Sequence, residues 1–248
     1  MIELIDVHKK YGRKKVLDGI NFTVPKGEIS TLIGVNGVGK TTILNHLMNL
    51  QPVTKGEILI DGEKHHPGIY DKVSFIPDAA ITLPEMRIRE AMDFMASFYK
   101  TWNKKRAGEM LGFFRLNKDD KIKTLSKGNV AKVNLLLGLA LDVDYVLMDE
   151  PFSGIDIFTR EQISDVFTSY LVENKGVLIT THEINEIEFI VDRAILMDEG
   201  KILREFNVEE VRESEGKSII DIMRDVYSPY SDRISNYEFD KNNDQGGF

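Results

Sequence analysis

A chain of 248 residues with 42% apolar content can bury one compact core with a satellite subdomain, a better fit than two independent domains. Its 32 basic and 40 acidic residues give a net charge of −8, which argues against a surface built for nucleic acid. With no cysteine there is no disulfide, thiol or zinc-thiolate chemistry, in keeping with a reducing cytoplasm, and no segment reads as a membrane span, because the most apolar one, Val133 to Met148, is short and broken by Asp142 and Asp144.

The opening MIELIDVHKKYG alternates apolar residues and carries early acids, so it reads as a strand and lacks the apolar core of a signal peptide. Gly12, Asp18-Gly19 and Pro25-Lys26-Gly27 punctuate short strands up to residue 34, and Gly56 to Gly62 is a further strand closing on a turn. This spacing predicts a mainly antiparallel layer. Into it is inserted a buried strand, Glu28 to Ile33, followed by Gly34 to Thr42, GVNGVGKTT, and a helix from Thr41 to Leu50.

That nine-residue stretch is a complete GxxxxGK loop with a following Thr, set between strand and helix, and it predicts binding of a nucleoside triphosphate with Mg²⁺. Gly34, Gly37 and Gly39 let the backbone bend so that successive N–H groups, with Asn36 and Val38 between them, face the phosphates. Lys40 is placed to reach the β- and γ-phosphates, Thr41 to offer a hydroxyl to the metal, and Thr42 to meet the α-phosphate.

After a strand at Val73 to Pro77 the apolar spacing turns helical, with Met86, Ala91, Met92, Phe94, Met95, Phe98 and Tyr99 recurring up to Trp102, which predicts a helical insert over about 80–130. Leu125-Ser-Lys-Gly-Asn129 precedes a helix from Val130 to Leu141, with Ser126 and Gly128 able to offer a hydroxyl and N–H groups to an anion; taken alone, the segment is a helix cap. Tyr145 to Met148 and Val177 to Thr180 are short, apolar strands separated by a helix over 158–173, the rhythm of a parallel sheet, and Ala194 to Met197 adds another strand before the turn at Glu199-Gly200. Asp149-Glu150 leaves the first of these strands with two carboxylates, one to hold Mg²⁺ and one to orient or deprotonate water. Ser153 to Asp156 follows closely. Thr181-His182-Glu183 ends the next strand, so that His182 and Glu150 can converge on one γ-phosphate. Beyond Val208 a polar amphipathic helix leads to a tail, Ser228 to Phe248, without periodicity and read as mobile and dispensable.

In this order the motifs resemble those of the ATP-binding subunit of an ABC transporter, over residues 1 to about 225. The resemblance implies an α/β fold of the P-loop NTPase class: a RecA-like parallel-sheet core, an antiparallel β-subdomain and an inserted α-helical subdomain. It divides the chain into a β-subdomain with the Walker A part of the core (1–78), the helical subdomain ending in the signature loop (79–130), the rest of the core (131–207) and a C-terminal helix with its tail (208–248). By similarity, Gly34 to Thr42 is the Walker A loop, Asp149 ends Walker B, Glu150 is the catalytic glutamate and His182 the switch histidine. Ser126, Lys127, Gly128 and Asn129 belong to the signature loop that serves the other subunit, Ser153 and Asp156 to the D-loop, and Tyr11 sits where an aromatic stacks on adenine, unless it is an ordinary strand-end tyrosine.

Two positions depart from the family pattern: Asp78 stands where glutamine usually touches Mg²⁺ and the attacking water, and the signature reads LSKGN where LSGGQ is commonest. Both resemble variants of bacterial exporters for antibiotics, peptides and similar molecules. The resemblance further implies a head-to-tail pair, formed with a second copy or a homologous ATPase, on the cytoplasmic face of a membrane, driving a separate integral membrane subunit docked against the Met- and Phe-rich insert. For any single residue of that insert, filling its own core is the simpler role. A soluble ABC ATPase of DNA repair, chromosome organisation or translation would usually carry a long coiled coil or two ATPase units, and a small-molecule kinase would leave Leu125 to Asn129 and His182 unexplained.

Overall fold

The computed structural model describes residues 1–78, 84–167, 174–182 and 184–228. The chain opens with β1 (Ile2–Tyr11) and β2 (Lys14–Val24), an antiparallel hairpin joined by β4 (Lys55–Ile60) and the short β5 (Glu63–Lys64) into a four-stranded sheet of order β2-β1-β4-β5. Ile2, Leu4, Val7, Leu17, Ile20 and Ile58 point from this sheet into one core, whereas alternate residues reach solvent, the pattern of a sheet covered on one face.

The second sheet has six strands in the order β10-β9-β3-β8-β7-β6, comprising β3 (Ile29–Ile33), β6 (Val73–Ile76), β7 (Tyr145–Asp149), β8 (Gly176–Thr181), β9 (Arg193–Asp198) and β10 (Lys201–Asn207). β3, β6, β7, β8 and β9 run parallel, and β10 closes the edge antiparallel to β9. Every residue of β7 and β8 is buried, which accounts for their uninterrupted apolar runs. The phosphate-loop strand β3 thus lies inside the parallel sheet, and α1 (Lys40–Leu47) leaves from its end to pack against the first core.

Between β6 and β7 lie α2 (Ile88–Phe98), α3 (Lys104–Phe113) and α4 (Lys127–Leu139). Ile88, Ala91, Met95, Ala107, Met110 and Phe114 fill a common core with α4, while Phe94, Phe98 and Phe113 remain exposed. Helix α4 starts three residues earlier than the spacing predicts. Ser126 is its N-cap, its Oγ accepting the Asn129 N–H at 3.3 Å, so Lys127, Gly128 and Asn129 form the first helical turn.

Helix α5 (Ile157–Phe167) connects β7 towards β8, and the remainder of its expected span, 168–173, falls outside the described residues. After β10, where one polar helix is expected, there are two: α6 (Val208–Glu215) stops at Gly216, whose φ of 66° ends the helix, and α7 (Ile219–Tyr227) restarts on a capping box between Ser218 and Asp221. Ile219, Ile222, Met223 and Tyr227 bury the inner face of α7, and the Tyr227 hydroxyl donates to the Met197 carbonyl at 3.1 Å. The last helix among the described residues is therefore part of the core. The tail expected to be mobile lies, beyond Ser228, outside the described residues.

Candidate functional site

The phosphate loop is shaped by glycine where no other residue fits. Gly39 takes φ 119° immediately before α1 and Gly37 φ 83°, both in the region that penalises a Cβ, while a Cβ on Gly34 would lie 2.6 Å from the Met197 carbonyl oxygen. Val38 turns its side chain into the core, leaving only its backbone for a ligand. Asn36, Gly37, Gly39, Lys40, Thr41 and Thr42 line a cleft of about 280 Å³ with Asp78, Asp149 and Glu150 on its other side. Of the predicted nucleotide and metal residues, Gly34, Val38 and Tyr11 are not among those lining it, and neither is His182.

Lys40 is 5% exposed, and its ammonium donates to the Gly34 carbonyl at 2.6 Å and pairs with Glu150 Oε1 at 3.1 Å. The other Glu150 oxygen, Oε2, accepts from His182 Nδ1 at 2.8 Å and from the His182 backbone N–H at 3.3 Å. Since a carboxylate only accepts, Nδ1 carries the proton in this contact. Glu150 itself sits at φ 48°, in the left-handed region, directly after the last residue of β7. Such backbone strain at a non-glycine residue costs of order 1 kcal/mol or more and persists only where neighbours hold it.

One oxygen step away, Thr41 Oγ1 donates to Asp149 Oδ2 at 2.8 Å, and Thr180 Oγ1 donates to Asp149 Oδ1 at 2.6 Å. The two bonds fix both carboxylate oxygens of a residue that is 7% exposed. Thr180 carries no motif that marks it in the sequence. Its role follows from strand register, because Asp149 on β7 lies opposite Thr180 on β8. Among the described residues no group of three His, Cys, Asp or Glu side chains could hold a metal. A hydroxyl and a carboxylate side by side are, however, the protein oxygens a Mg²⁺ ion uses when substrate phosphates and water complete its shell.

The signature residues Ser126, Gly128 and Asn129 do not line this cleft. Lys127 borders a second, smaller cavity of about 40 Å³ that also touches Asp78, Glu150 and Ser153, and its ammonium lies 2.5 Å from where a Cβ on Gly154 would stand. Gly128 packs against the start of α5, where a Cβ would come within 2.9 Å of Thr159 Oγ1. There Asp156 accepts the Thr159 N–H at 3.0 Å and the Thr159 hydroxyl at 2.8 Å, contacts that hold its carboxyl below the usual range. Tyr11 ends β1 and is 46% exposed; it does not line the cleft, its hydroxyl donating to Gln51 Oε1. Glu183, expected beside His182, is outside the described residues.

A family model described as ABC transporter matches residues 17–153. The Nod factor export ATP-binding protein I of Burkholderia orbicola is 34% identical over 230 residues, 89% of this chain and 76% of that protein. An aliphatic sulfonates import ATP-binding protein of Zymomonas mobilis is 31% identical over 204 residues, 81% of this chain and 83% of that protein. A solved dimeric structure of an ATP-binding cassette in a post-hydrolysis state, bound to ADP and Pi, matches with a TM-score of 0.74 at 26% identity, covering 84% of this chain and 98% of that one.

Proposed function

Because this chain belongs to the ABC transporter family, we propose that it couples ATP-driven pairing of two cassettes to transport through a separate integral membrane subunit. It is the ATP-binding subunit of an ABC transporter, and its activity is ATP hydrolysis. The observation that carries the proposed site is the run of contacts from Lys40 through Glu150 to His182, beside the Thr41–Asp149 pair, all at one glycine-rich cleft.

In this reading the loop N–H groups and Lys40 bind the phosphates, which draws the ammonium away from Glu150. Glu150 is then free to take a proton from the attacking water, and His182 holds the carboxylate in place from the other side. Mg²⁺, held by Thr41 and Asp149 with Asp78 facing the same cleft, would neutralise charge on the phosphates. Tyr11 stacks on the adenine ring. The proposed divisions are 1–78, 79–130, 131–207 and 208–248, with the second carrying the surface that docks the membrane subunit. Exposed Phe94, Phe98 and Phe113 support that surface. No helix among the described residues is long and apolar enough to cross a membrane. The spanning part is proposed to be another chain, with this one on its cytoplasmic face.

Ser126, Lys127, Gly128 and Asn129, with Ser153 and Asp156, are proposed to complete the site of a second copy or a homologous ATPase. None of the six lines this chain's own phosphate cleft, which supports that reading. Ser126→Ala should leave MgATP affinity of the monomer unchanged within about twofold and weaken ATP-dependent dimerisation at least tenfold, read by sedimentation. Because Ser126 caps α4, the same substitution should cost about 1 kcal/mol of stability. Loss of monomer binding would place the serine elsewhere.

Export of a peptide, antibiotic or similar molecule is the proposed direction and cargo. Asp78, the LSKGN sequence and the relative named for Nod factor export support it, while the relative named for sulfonate import is the counter-example. Purification from detergent-solubilised membranes should bring down an integral membrane partner. A chain found only with ribosomes or DNA would overturn the assignment.

A further inference from the structure

The β1–β2 hairpin that carries Tyr11 meets the phosphate loop through its second strand. Tyr11 pairs with Lys14 across the β1–β2 turn, and a Cβ on Gly39 would come within 2.8 Å of Leu17 and 3.3 Å of the Val16 carbonyl, both on β2. Tyr11 is also anchored from a second direction. Its hydroxyl donates to the side-chain oxygen of Gln51, four residues beyond the end of α1, the helix whose first turn holds Lys40 and Thr41. The backbone oxygen of Gln51 in turn accepts from His46 Nδ1 at 2.7 Å, within the last turn of that helix.

His46 is 1% exposed, and its Nε2 is buried without a hydrogen-bond partner. Because Gln51 presents a carbonyl, the proton must sit on Nδ1, and Nε2 is left as a bare lone pair. Burial pushes the ring's pKa down and so favours this neutral form. Lys9 completes the arrangement: its ammonium donates to the Pro52 carbonyl at 2.6 Å and lies over one face of the Tyr11 ring, 4.9 Å from the centroid. Tyr11 is 46% exposed, so part of the residue remains open to a flat ligand.

We propose that Gln51 is a positioning residue for nucleotide recognition, clamped by His46 and fixing Tyr11 so that its ring meets the base of a nucleotide whose phosphates lie in the loop. The proposal rests on the reading of Tyr11 as the residue that stacks on adenine. It adds that the base platform and the phosphate cradle are tied to opposite ends of one eight-residue helix, so their spacing is set by α1 as well as by the hairpin. A phenylalanine at position 11 would keep the stacking face and lose the anchor.

The test compares dissociation constants for MgATP and for magnesium tripolyphosphate, which has the phosphates without the base. Tyr11→Ala should weaken MgATP about tenfold and leave tripolyphosphate unchanged. Tyr11→Phe and Gln51→Leu should each weaken MgATP about threefold, again with tripolyphosphate unchanged, and the double variant should be no worse than either single one. If Tyr11→Ala weakens MgATP while Gln51→Leu and Tyr11→Phe do not, the anchor is refuted and the stacking stands. Unchanged MgATP binding in Tyr11→Ala refutes both. Equal weakening of both ligands by Gln51→Leu would make Gln51 a prop of α1 and overturn its role towards the base. Should Gln51→Leu fail to fold, Tyr11→Phe decides alone, since that side chain is half exposed and loses a single oxygen.

Discussion

Replacing Glu150 by Gln should reduce ATP turnover by two to four orders of magnitude while the MgATP dissociation constant stays within about threefold of the wild-type value. The size of the loss follows from removing a positioned general base, whose contribution is typically 10²–10⁴-fold. Binding should survive because the phosphate contacts come from the loop and Lys40, and because Gln preserves the volume of the side chain. Its carboxamide oxygen can still accept from His182 Nδ1, which now meets Glu150 Oε2 at 2.8 Å. With hydrolysis blocked and binding intact, the ATP-bound dimer should accumulate and be seen on a sizing column. Unchanged turnover would remove Glu150 from the proton transfer, and turnover and binding lost together would mean that its pairing with Lys40 is structural.

The opposite split is expected for Lys40→Met. A single cation serves several partners here: its ammonium is hydrogen-bonded to the Gly34 carbonyl at 2.6 Å and the Val35 carbonyl at 3.4 Å and paired with Glu150 Oε1 at 3.1 Å. Methionine fills a similar volume without the charge, so the triphosphate loses a charge-assisted contact and Glu150 loses its counter-ion at a site that is 14% exposed on its own side. MgATP affinity should fall about a hundredfold, measured by titration calorimetry. The melting temperature without nucleotide should fall by a few degrees, because an uncompensated carboxylate stays in the cleft. An affinity within threefold of wild type would show that the loop N–H groups suffice and that the role assigned to Lys40 is wrong.

What the sequence reveals about this site depends on how local each signal is. Gly34 to Thr42 is legible because a backbone needing φ near 119° at residue 39 admits little but glycine, and the spacing to Lys40 and Thr41 is fixed by the turn that follows. The strands β7 and β8 are legible because burial on both faces leaves continuous apolar runs. The Thr180–Asp149 bond is not, since it arises from the register of two strands far apart in sequence.

Edges of elements mislead for related reasons. Lys127, Gly128 and Asn129 look like loop residues, but the Ser126 cap draws them into α4. Strand β10, unexpected from the sequence, has only Phe206 buried in Lys201–Asn207, so its apolar signal is weak, and it is held by pairing with β9. The second C-terminal helix is hidden by the polarity of α6 before it and becomes clear only from Gly216 and the Ser218 capping box. Gln51, an isolated polar residue after a helix, carries no pattern at all; its place is known only from what Tyr11 and His46 do with it.

Each ATP is proposed to be cleaved between two half-sites, the cleft of one chain and the start of helix α4 of another. The decisive experiment is phosphate release from MgATP, measured for the wild-type chain over a wide range of protein concentration. Turnover per chain should rise with concentration and level off once the paired form dominates. Turnover per chain that is the same at every concentration, down to the most dilute, or absent throughout, would contradict it.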